Sequence, residues 1–301
     1  MSFELISIVG PTASGKSDLA IEIALELGNA EIINTDSMQL YRGMDIGTAK
    51  LSQAEMRGVP HHLISVIDPT EEVSVVKYRN LFDAAFKDIT SRGKLPISVG
   101  GSTLYLAAAI DEMDFAPTDN NVREKLERQS LELGGLAMWE ELKRLDAEAA
   151  AKIPASNKRR VIRALEVIQI TGQSWAAALP EPRYRRETLQ LGISVPRAEI
   201  LDRISKRVLS MWQSGIVGET AKLMQDFPNL SRTARVAIGY QQAMAQIAGT
   251  MSEADAIAET TKLTARYAKK QMTWFRRDKR IHWLDYQQAL PQALEQIRLV
   301  R

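Results

Sequence analysis

One octapeptide limits what this chain can fold into. Gly10-Pro11-Thr12-Ala13-Ser14-Gly15-Lys16-Ser17 fits the pattern G-x-x-x-x-G-K-[ST] of a phosphate-binding loop. It stands between an apolar, β-branched run, Phe3 to Val9, and a stretch in which Leu19, Ala20, Ile23, Ala24 and Leu27 recur at helical spacing until Gly28. A strand that passes into a helix through such a loop belongs to an α/β architecture. Gly10 and Gly15 keep Cβ atoms out of the way, so that successive backbone N–H groups converge on phosphate oxygens. The helix N-terminus adds positive potential. Lys16 supplies a mobile cation, and the Ser17 hydroxyl can hold Mg2+. The loop implies a di- or triphosphate ligand without choosing between ATP and any other.

Downstream, Glu31 to Asn34, His62 to Ile67 and Leu95 to Val99 read as further strands, with a helix over Val76 to Thr90. Alternating strands and helices predict a parallel sheet covered on both faces. The pattern changes near Pro117. Asp119 or Asn120 can cap one helix, Leu136 to Ala151 form another, and Ser156 or Asn157 can cap a third that ends before Gly172. A loop containing Pro180-Glu181-Pro182 leads back to a strand pattern over Leu189 to Val195, and helices then run to a last short strand, Ile281 to Leu284. The expected fold class is α/β, a P-loop NTPase-like parallel-sheet core with an inserted all-helical domain. The core takes residues 1–116 and 189–301, and the insertion 117–188.

Composition narrows the chemistry. The 301 residues include no cysteine and three histidines, which excludes a catalytic thiol, disulfides, an iron–sulfur cluster and any Cys-based zinc site. No stretch approaches the ~18 apolar residues of a membrane span, and the first residues lack the basic region of a secretory leader. A soluble, cytoplasmic protein is expected. The net charge of +2 is unevenly spread: Lys262 to Arg280 holds eight basic residues and one acidic, Asn157 to Arg163 four basic, Arg183 to Arg186 three, and the remainder is acidic. One such run is an ordinary solvated helix face. Three of them against an acidic remainder point to a polyanionic partner.

Several side chains are candidates for chemistry. Asp36 follows the second strand at the carboxyl edge of the sheet, where open α/β folds bind ligands. It can act as a general base, hold a metal through water, or cap a turn. Ser102, past Gly100-Gly101, sits at the same edge and can reach a phosphate or nucleobase, or cap the next helix. Arg123 is either a cation folding over phosphates or a surface arginine. Arg159 and Arg163 are four residues apart, Arg160 and Arg163 three, so they share a helix face that can follow a phosphate backbone. Tyr267, Trp274 and Phe275 interleave with the last basic run and can stack on bases, although tryptophans such as Trp274 and Trp283 are more often simply core residues. His61 and His62 have no spaced carboxylate partner and read as structural.

With these residues in view, the chain resembles the bacterial tRNA dimethylallyltransferases, also called tRNA isopentenyltransferases. The blocks that carry the resemblance are GPTASGKS at 10–17, TDSMQLYRGMDIGTAK at 35–50, PHHLISVIDP at 60–69, PISVGGSTLY at 96–105, NKRRVIRALEV at 157–167, AIGYQQ at 237–242 and YAKKQMTWFRR at 267–277. The resemblance implies transfer of a dimethylallyl group from dimethylallyl diphosphate to N6 of the adenosine 3′ of the anticodon, tRNA position 37, with release of diphosphate and help from Mg2+ at Ser17. It implies that residues Gly10 to Ser17 hold the diphosphate and that Asp36 is the base, with Lys16, Ser102 and Arg123 as further catalytic residues. It implies that Asp36, Ser37, Met38, Gln39, Ser102, Arg123 and the helix Arg159, Arg160, Val161, Ile162, Arg163 meet the tRNA anticodon stem-loop. A monomer with no membrane attachment goes with it. Three positions depart from the family pattern: Ser102 stands where Thr is frequent, Gln241 where Lys or Arg is common, and Ala265 where Arg is common. The absence of Cys excludes the added zinc finger of eukaryotic relatives.

Two rival activities share the loop. A small-molecule P-loop kinase gives no reason for the basic tracts. An adenylate isopentenyltransferase, acting on a free nucleotide, needs neither the helical insertion nor the basic helix. A plain RNA-binding module leaves the phosphate loop beside Asp36 unexplained.

Overall fold

The computed structural model describes residues 3–113, 115–175 and 182–300. The loop expected around Pro180 and Glu181 lies outside the described residues. The chain divides into two units, Met1–Asp111 with Tyr184–Arg301, and Glu112–Arg183. The division falls a few residues before Pro117 and Leu189, because Asp111 and Tyr184 still pair as an antiparallel bridge within the first unit.

The first unit begins β1 (Leu5–Val9), α1 (Lys16–Leu27), β2 (Ala30–Asn34), β3 (His61–His62), α2 (Val75–Ser91), β4 (Leu95–Val99) and α3 (Thr103–Ile110). The second unit contributes α4 (Asn120–Leu133), α5 (Gly135–Leu145), α6 (Ala147–Lys152) and α7 (Lys158–Thr171). The first unit resumes with β5 (Thr188–Ser194), α8 (Arg197–Gln213), α9 (Ile216–Asp226), α10 (Arg232–Arg235), α11 (Tyr240–Ile247), α12 (Glu253–Phe275), β6 (Ile281–Asp285) and α13 (Ala289–Leu299). The six strands form one sheet in the order β3-β2-β4-β1-β5-β6, every adjacent pair parallel.

Side-chain alternation along the strands assigns each face its cover. Leu5 and Val9 of β1 pack with Tyr78 and Phe82 of α2, Leu106 of α3 and Phe275 of α12. Ile6 and Ile8 point the other way, onto Leu19 and Ile23 of α1 and Ala293 and Ile297 of α13. Both faces of β1, β2 and β4 are therefore buried, including the polar Ser7, Glu31, Asn34 and Ser98 that interrupt their apolar pattern. The helical unit has its own core, in which Leu126, Leu142, Val161 and Leu165 are no more than 1% exposed.

Two expected elements differ. The strand over His62 to Ile67 shrinks to His61–His62, because Leu63 and Ser65 adopt positive φ (62° and 54°). There Asn34 Nδ2 donates to the Leu63 carbonyl, and the N–H groups of Ser65, Val66 and Ile67 turn to the Gln39 and Leu40 carbonyls. The helix over Leu136 to Ala151 is two helices. Asp146 breaks it by accepting from the Ala149 N–H as the N-cap of α6. Trp283 is exposed on β6 rather than in the core.

Candidate active site

The sheet order brings three loops together. Because β4 lies between β1 and β2, the segments leaving all three strands are neighbours at the carboxyl edge of the sheet. This is also where the strand order reverses, the usual ligand position of an open α/β sheet.

The loop after β1 curls through positive φ at Gly10, Ala13 and Gly15 (151°, 65° and 86°). Ala13 holds a left-handed conformation in spite of its Cβ, a local strain of the kind that concentrates at ligand sites. Lys16 is half-buried and donates to the Pro11 carbonyl at 2.6 Å. Burial, and then the Arg207 guanidinium facing it, push its pKa down to about 7, against the opposing pull of Asp36. Arg207 comes from α8, donates to the Thr48 carbonyl at 3.2 Å, and is itself held below its usual pKa by burial, with Asp36 opposing. Lys16, Arg207 and Asp36 thus share one electrostatic neighbourhood.

Asp36 sits in the turn after β2. Its N–H donates to Asn34 Oδ1 at 2.9 Å, and its Oδ1 accepts from the Met38 N–H at 2.9 Å. The carboxylate therefore does shape a turn, as one sequence alternative held. Ser102 precedes α3 but makes no side-chain cap bond. Its Oγ instead accepts from the Ser37 N–H at 3.0 Å and lies 3.1 Å from Ser37 Oγ. Met38 packs partly against the core, and Gln39 donates to the Thr48 carbonyl at 3.1 Å. Gly100 allows this closeness: a Cβ there would stand 2.5 Å from the Thr35 carbonyl carbon and 2.8 Å from the Asp36 nitrogen.

Helix α12 closes the arrangement from more than 160 residues away. Gln271, 2% exposed, donates to the Gly101 carbonyl and accepts from the Thr12 N–H, both at 2.8 Å. It ties the phosphate loop to the β4 loop. Tyr267, one turn earlier, faces the same place. Burial and the Asp36 charge push its pKa up to about 12, against hydrogen bonds with Ser102 and Gln271. Tyr267 is therefore a wall of this site, whereas Phe275 is fully buried and Trp274 half-buried against the core. On α12 and just past its end, Arg266, Lys269, Lys270, Thr273, Trp274 and Arg277 line an open recess of about 430 Å3.

In the helical unit, taken by itself, Glu166 is fully buried and gathers two of the expected arginines. Arg123 Nη2 lies 2.9 Å from Glu166 Oε2, and Arg163 Nη1 lies 2.9 Å from the same oxygen. Arg163 also donates to the carbonyls of Ala116 and Pro117. Arg123 is thus neither a solitary surface arginine nor an unpaired cation. Arg159 and Arg160 are exposed at the start of α7. Val161 is not available to a partner, because its side chain is 0% exposed in the helical core, and Ile162 packs partly against that core.

His61 and His62 are engaged in structure: His61 Nδ1 is 2.8 Å from the Val59 carbonyl, and His62 Nε2 is 2.7 Å from Glu31. Arg207 and Gln271 are absent from the sequence-derived candidates. A signal for Arg207 exists: it lies on the stripe Ile200, Ile204, Val208, Met211 of α8, a cation on a face that is otherwise buried.

A parallel sheet with a glycine-rich loop at its switch point, two cations and a carboxylate beside it, defines an α/β protein with a P-loop-like core. Residues 39–278 match the model of the IPP transferase family. A protein named tRNA dimethylallyltransferase from Thermobifida fusca is 48% identical over 94% of this chain and 90% of its own. Among solved structures, the tRNA isopentenylpyrophosphate transferase of Bacillus halodurans superposes with a TM-score of 0.72 at 36% identity, covering 99% of this chain and 96% of its own. A eukaryotic dimethylallyltransferase acting on tRNA superposes with a TM-score of 0.79 at 26% identity, covering 94% of this chain and 73% of its own. The chain belongs to the IPP transferase family.

Proposed function

We propose that the protein transfers the dimethylallyl group of dimethylallyl diphosphate to N6 of the adenosine at tRNA position 37. Family membership and the activities for which its relatives are named support the class of reaction. What supports placing the reaction at this site is Lys16 in the phosphate loop with Arg207 and Asp36 close enough to act on its charge.

The chemistry suits those groups. The exocyclic N6 of adenine is a poor nucleophile, since its lone pair is delocalised into the ring. The bond between the allylic carbon and the diphosphate oxygen breaks as the C–N bond forms. Lys16, Arg207 and the loop N–H groups offset the charge gathering on the departing diphosphate. Asp36 accepts the N6 proton. Its Oδ1 accepts from the Met38 N–H, so the N6 proton is assigned to Oδ2. Asp36 to Gln39, Ser102, Arg123 and the exposed Arg159 and Arg160 meet the tRNA anticodon stem-loop, from which the adenine is extruded at a cost of only a few kcal/mol.

Mg2+ fits as a partner of the substrate. The Ser17 hydroxyl, in the first turn of α1 beside the phosphate loop, would hold the ion together with the substrate's diphosphate. When bound it adds positive charge at the leaving group.

The test is incubation with labelled dimethylallyl diphosphate and either tRNA or AMP. Label in tRNA that is lost in Asp36→Ala supports the proposal. Label in AMP alone, or an activity that requires ATP, overturns it in favour of the nucleotide-prenylating or kinase alternatives.

A further inference from the structure

Glu219 lies on α9, apart from the groups that face the phosphate loop. Its carboxylate accepts from three consecutive backbone N–H groups: Asp45 at 3.1 Å, Ile46 at 2.9 Å and Gly47 at 3.3 Å. It also accepts from the Tyr240 hydroxyl at 2.5 Å, and that hydroxyl accepts in turn from the Gly47 N–H at 3.2 Å. Consecutive N–H groups converging in this way form an anion nest, here filled by the protein's own side chain. Position 47 tolerates only glycine, since a Cβ would press into the Tyr240 ring, 2.7 Å from Cζ. Tyr240 is fully buried, and burial together with the Glu219 charge raises its pKa, so it remains the protonated donor.

The residue after the nest explains why it matters. The Thr48 carbonyl receives hydrogen bonds from Arg207 Nη2 at 3.2 Å and Gln39 Nε2 at 3.1 Å. Arg207 is the cation facing Lys16, and Gln39 closes the segment that begins at Asp36. A single carbonyl therefore holds one group on the diphosphate side of the site and one on the acceptor side. Its direction is set by the backbone that Glu219 clamps.

We infer that Glu219 is a positioning residue for the transfer reaction, which by clamping residues 45–47 aims the Thr48 carbonyl so that Arg207 and Gln39 are held in register across the two halves of the site. The identity of the two substrates rests on the function proposed above; the clamp itself does not.

The test compares Glu219→Ala, Glu219→Gln and Tyr240→Phe with the wild type. Thermal unfolding reports stability, steady-state kinetics report kcat and KM, and calorimetry reports the binding of dimethylallyl diphosphate, with ADP as a second diphosphate probe. Glu219→Ala is expected to weaken diphosphate binding and lower kcat by about tenfold or more, as for a lost charge-assisted contact. It is also expected to reduce the proton uptake on binding at pH 8, because a released Arg207 no longer opposes the Lys16 charge. Glu219→Gln, which retains one acceptor oxygen, falls between. Tyr240→Phe, which leaves the carboxylate on its three N–H groups, loses less than about threefold. A Glu219→Ala protein that melts earlier but keeps the wild-type kcat, KM and proton uptake overturns the inference and leaves a purely structural glutamate. If that variant does not fold, wild-type kinetics and proton uptake in Glu219→Gln overturn it instead. A wild type that binds ADP but does not prenylate tRNA defeats the proposed function, and the clamp is then judged on ADP binding alone.

Discussion

Binding of a diphosphate at the loop is expected to take up a proton, because Lys16 is held largely neutral before the ligand arrives. In the free protein burial and Arg207 lower its pKa from 10.5 to about 7. At pH 8 about one lysine in ten is then charged, and at pH 9 about one in a hundred. A diphosphate in the loop favours the ammonium and carries the pKa back toward or above its ordinary value. Each binding event at pH 8 therefore recruits close to one proton, and affinity falls about tenfold per pH unit above 7 while flattening below it. The ligand does not obscure this, because the last phosphate proton of a monoester leaves near pH 6. Tyr267, pushed up to about 12, titrates above the window.

The assay is calorimetry with dimethylallyl diphosphate at pH 7, 8 and 9, at constant Mg2+, in two buffers of different ionisation enthalpy. The difference between buffers reads the proton count directly. Arg207→Met serves as the internal control. It removes the second cause of the depressed pKa, so uptake at pH 8 shrinks even as overall affinity drops with the lost cation. Affinity that is flat from pH 7 to 9 with no proton uptake would refute the reasoning, since Lys16 would then be charged before the ligand arrives.

Lys16→Met is expected to raise the unfolding midpoint of the ligand-free protein by a few degrees while abolishing diphosphate binding; a lower midpoint in thermal unfolding contradicts this. The sign follows because a lysine with a depressed folded-state pKa is less protonated in the folded than in the unfolded chain between pH 7 and 10.5, so its contribution to stability rises with pH through that window. Asp36→Ala should lower kcat far more than tRNA affinity, and a large affinity loss with normal turnover in paired filter-binding and kinetic measurements would remove it as the base. Arg159→Ala and Arg160→Ala should each reduce the slope of log affinity against log salt by about one. Arg163→Ala should instead cost on the order of 2–4 kcal/mol in denaturant unfolding, because it strips a partner from the fully buried Glu166; an unchanged midpoint would show that Arg123 alone satisfies that carboxylate.

The contrast between Lys16 and Arg207 shows what local pattern can and cannot carry. Lys16 announces itself because the glycines, the preceding strand and the following helix are contiguous, and each constrains the next. Arg207 shares its pocket but comes from a helix nearly 200 residues later, and only the parallel pairing of the sheet brings the two together. The same holds for Ser102 and Ser37, whose contact requires β4 to pair between β1 and β2. Sequence places each residue at the end of its own strand but not the strands side by side. The lost strand after His62 has a related cause. Val and Ile favour extended backbone, yet the Asn34 side chain and the Gln39 and Leu40 carbonyls supply partners that a regular strand would forgo. At Asp146 the error runs the other way. The cap residue is visible, and helical periodicity on either side masks it.

Charge is the property that a sequence displays most openly, and pairing is what it hides. Arg163 stands in a basic run and reads as part of a surface turned toward a polyanion, while Arg123 reads as a cation over phosphates or a surface arginine. Glu166 stands only three residues beyond Arg163, but nothing local says that it is buried, or that Arg123, more than forty residues upstream, meets the same carboxylate. Once both guanidiniums are bound to it, their charge is partly spent within the fold, and the electrostatic weight of that helix falls on Arg159 and Arg160. The salt dependence of tRNA binding should therefore count the exposed arginines and not the basic run.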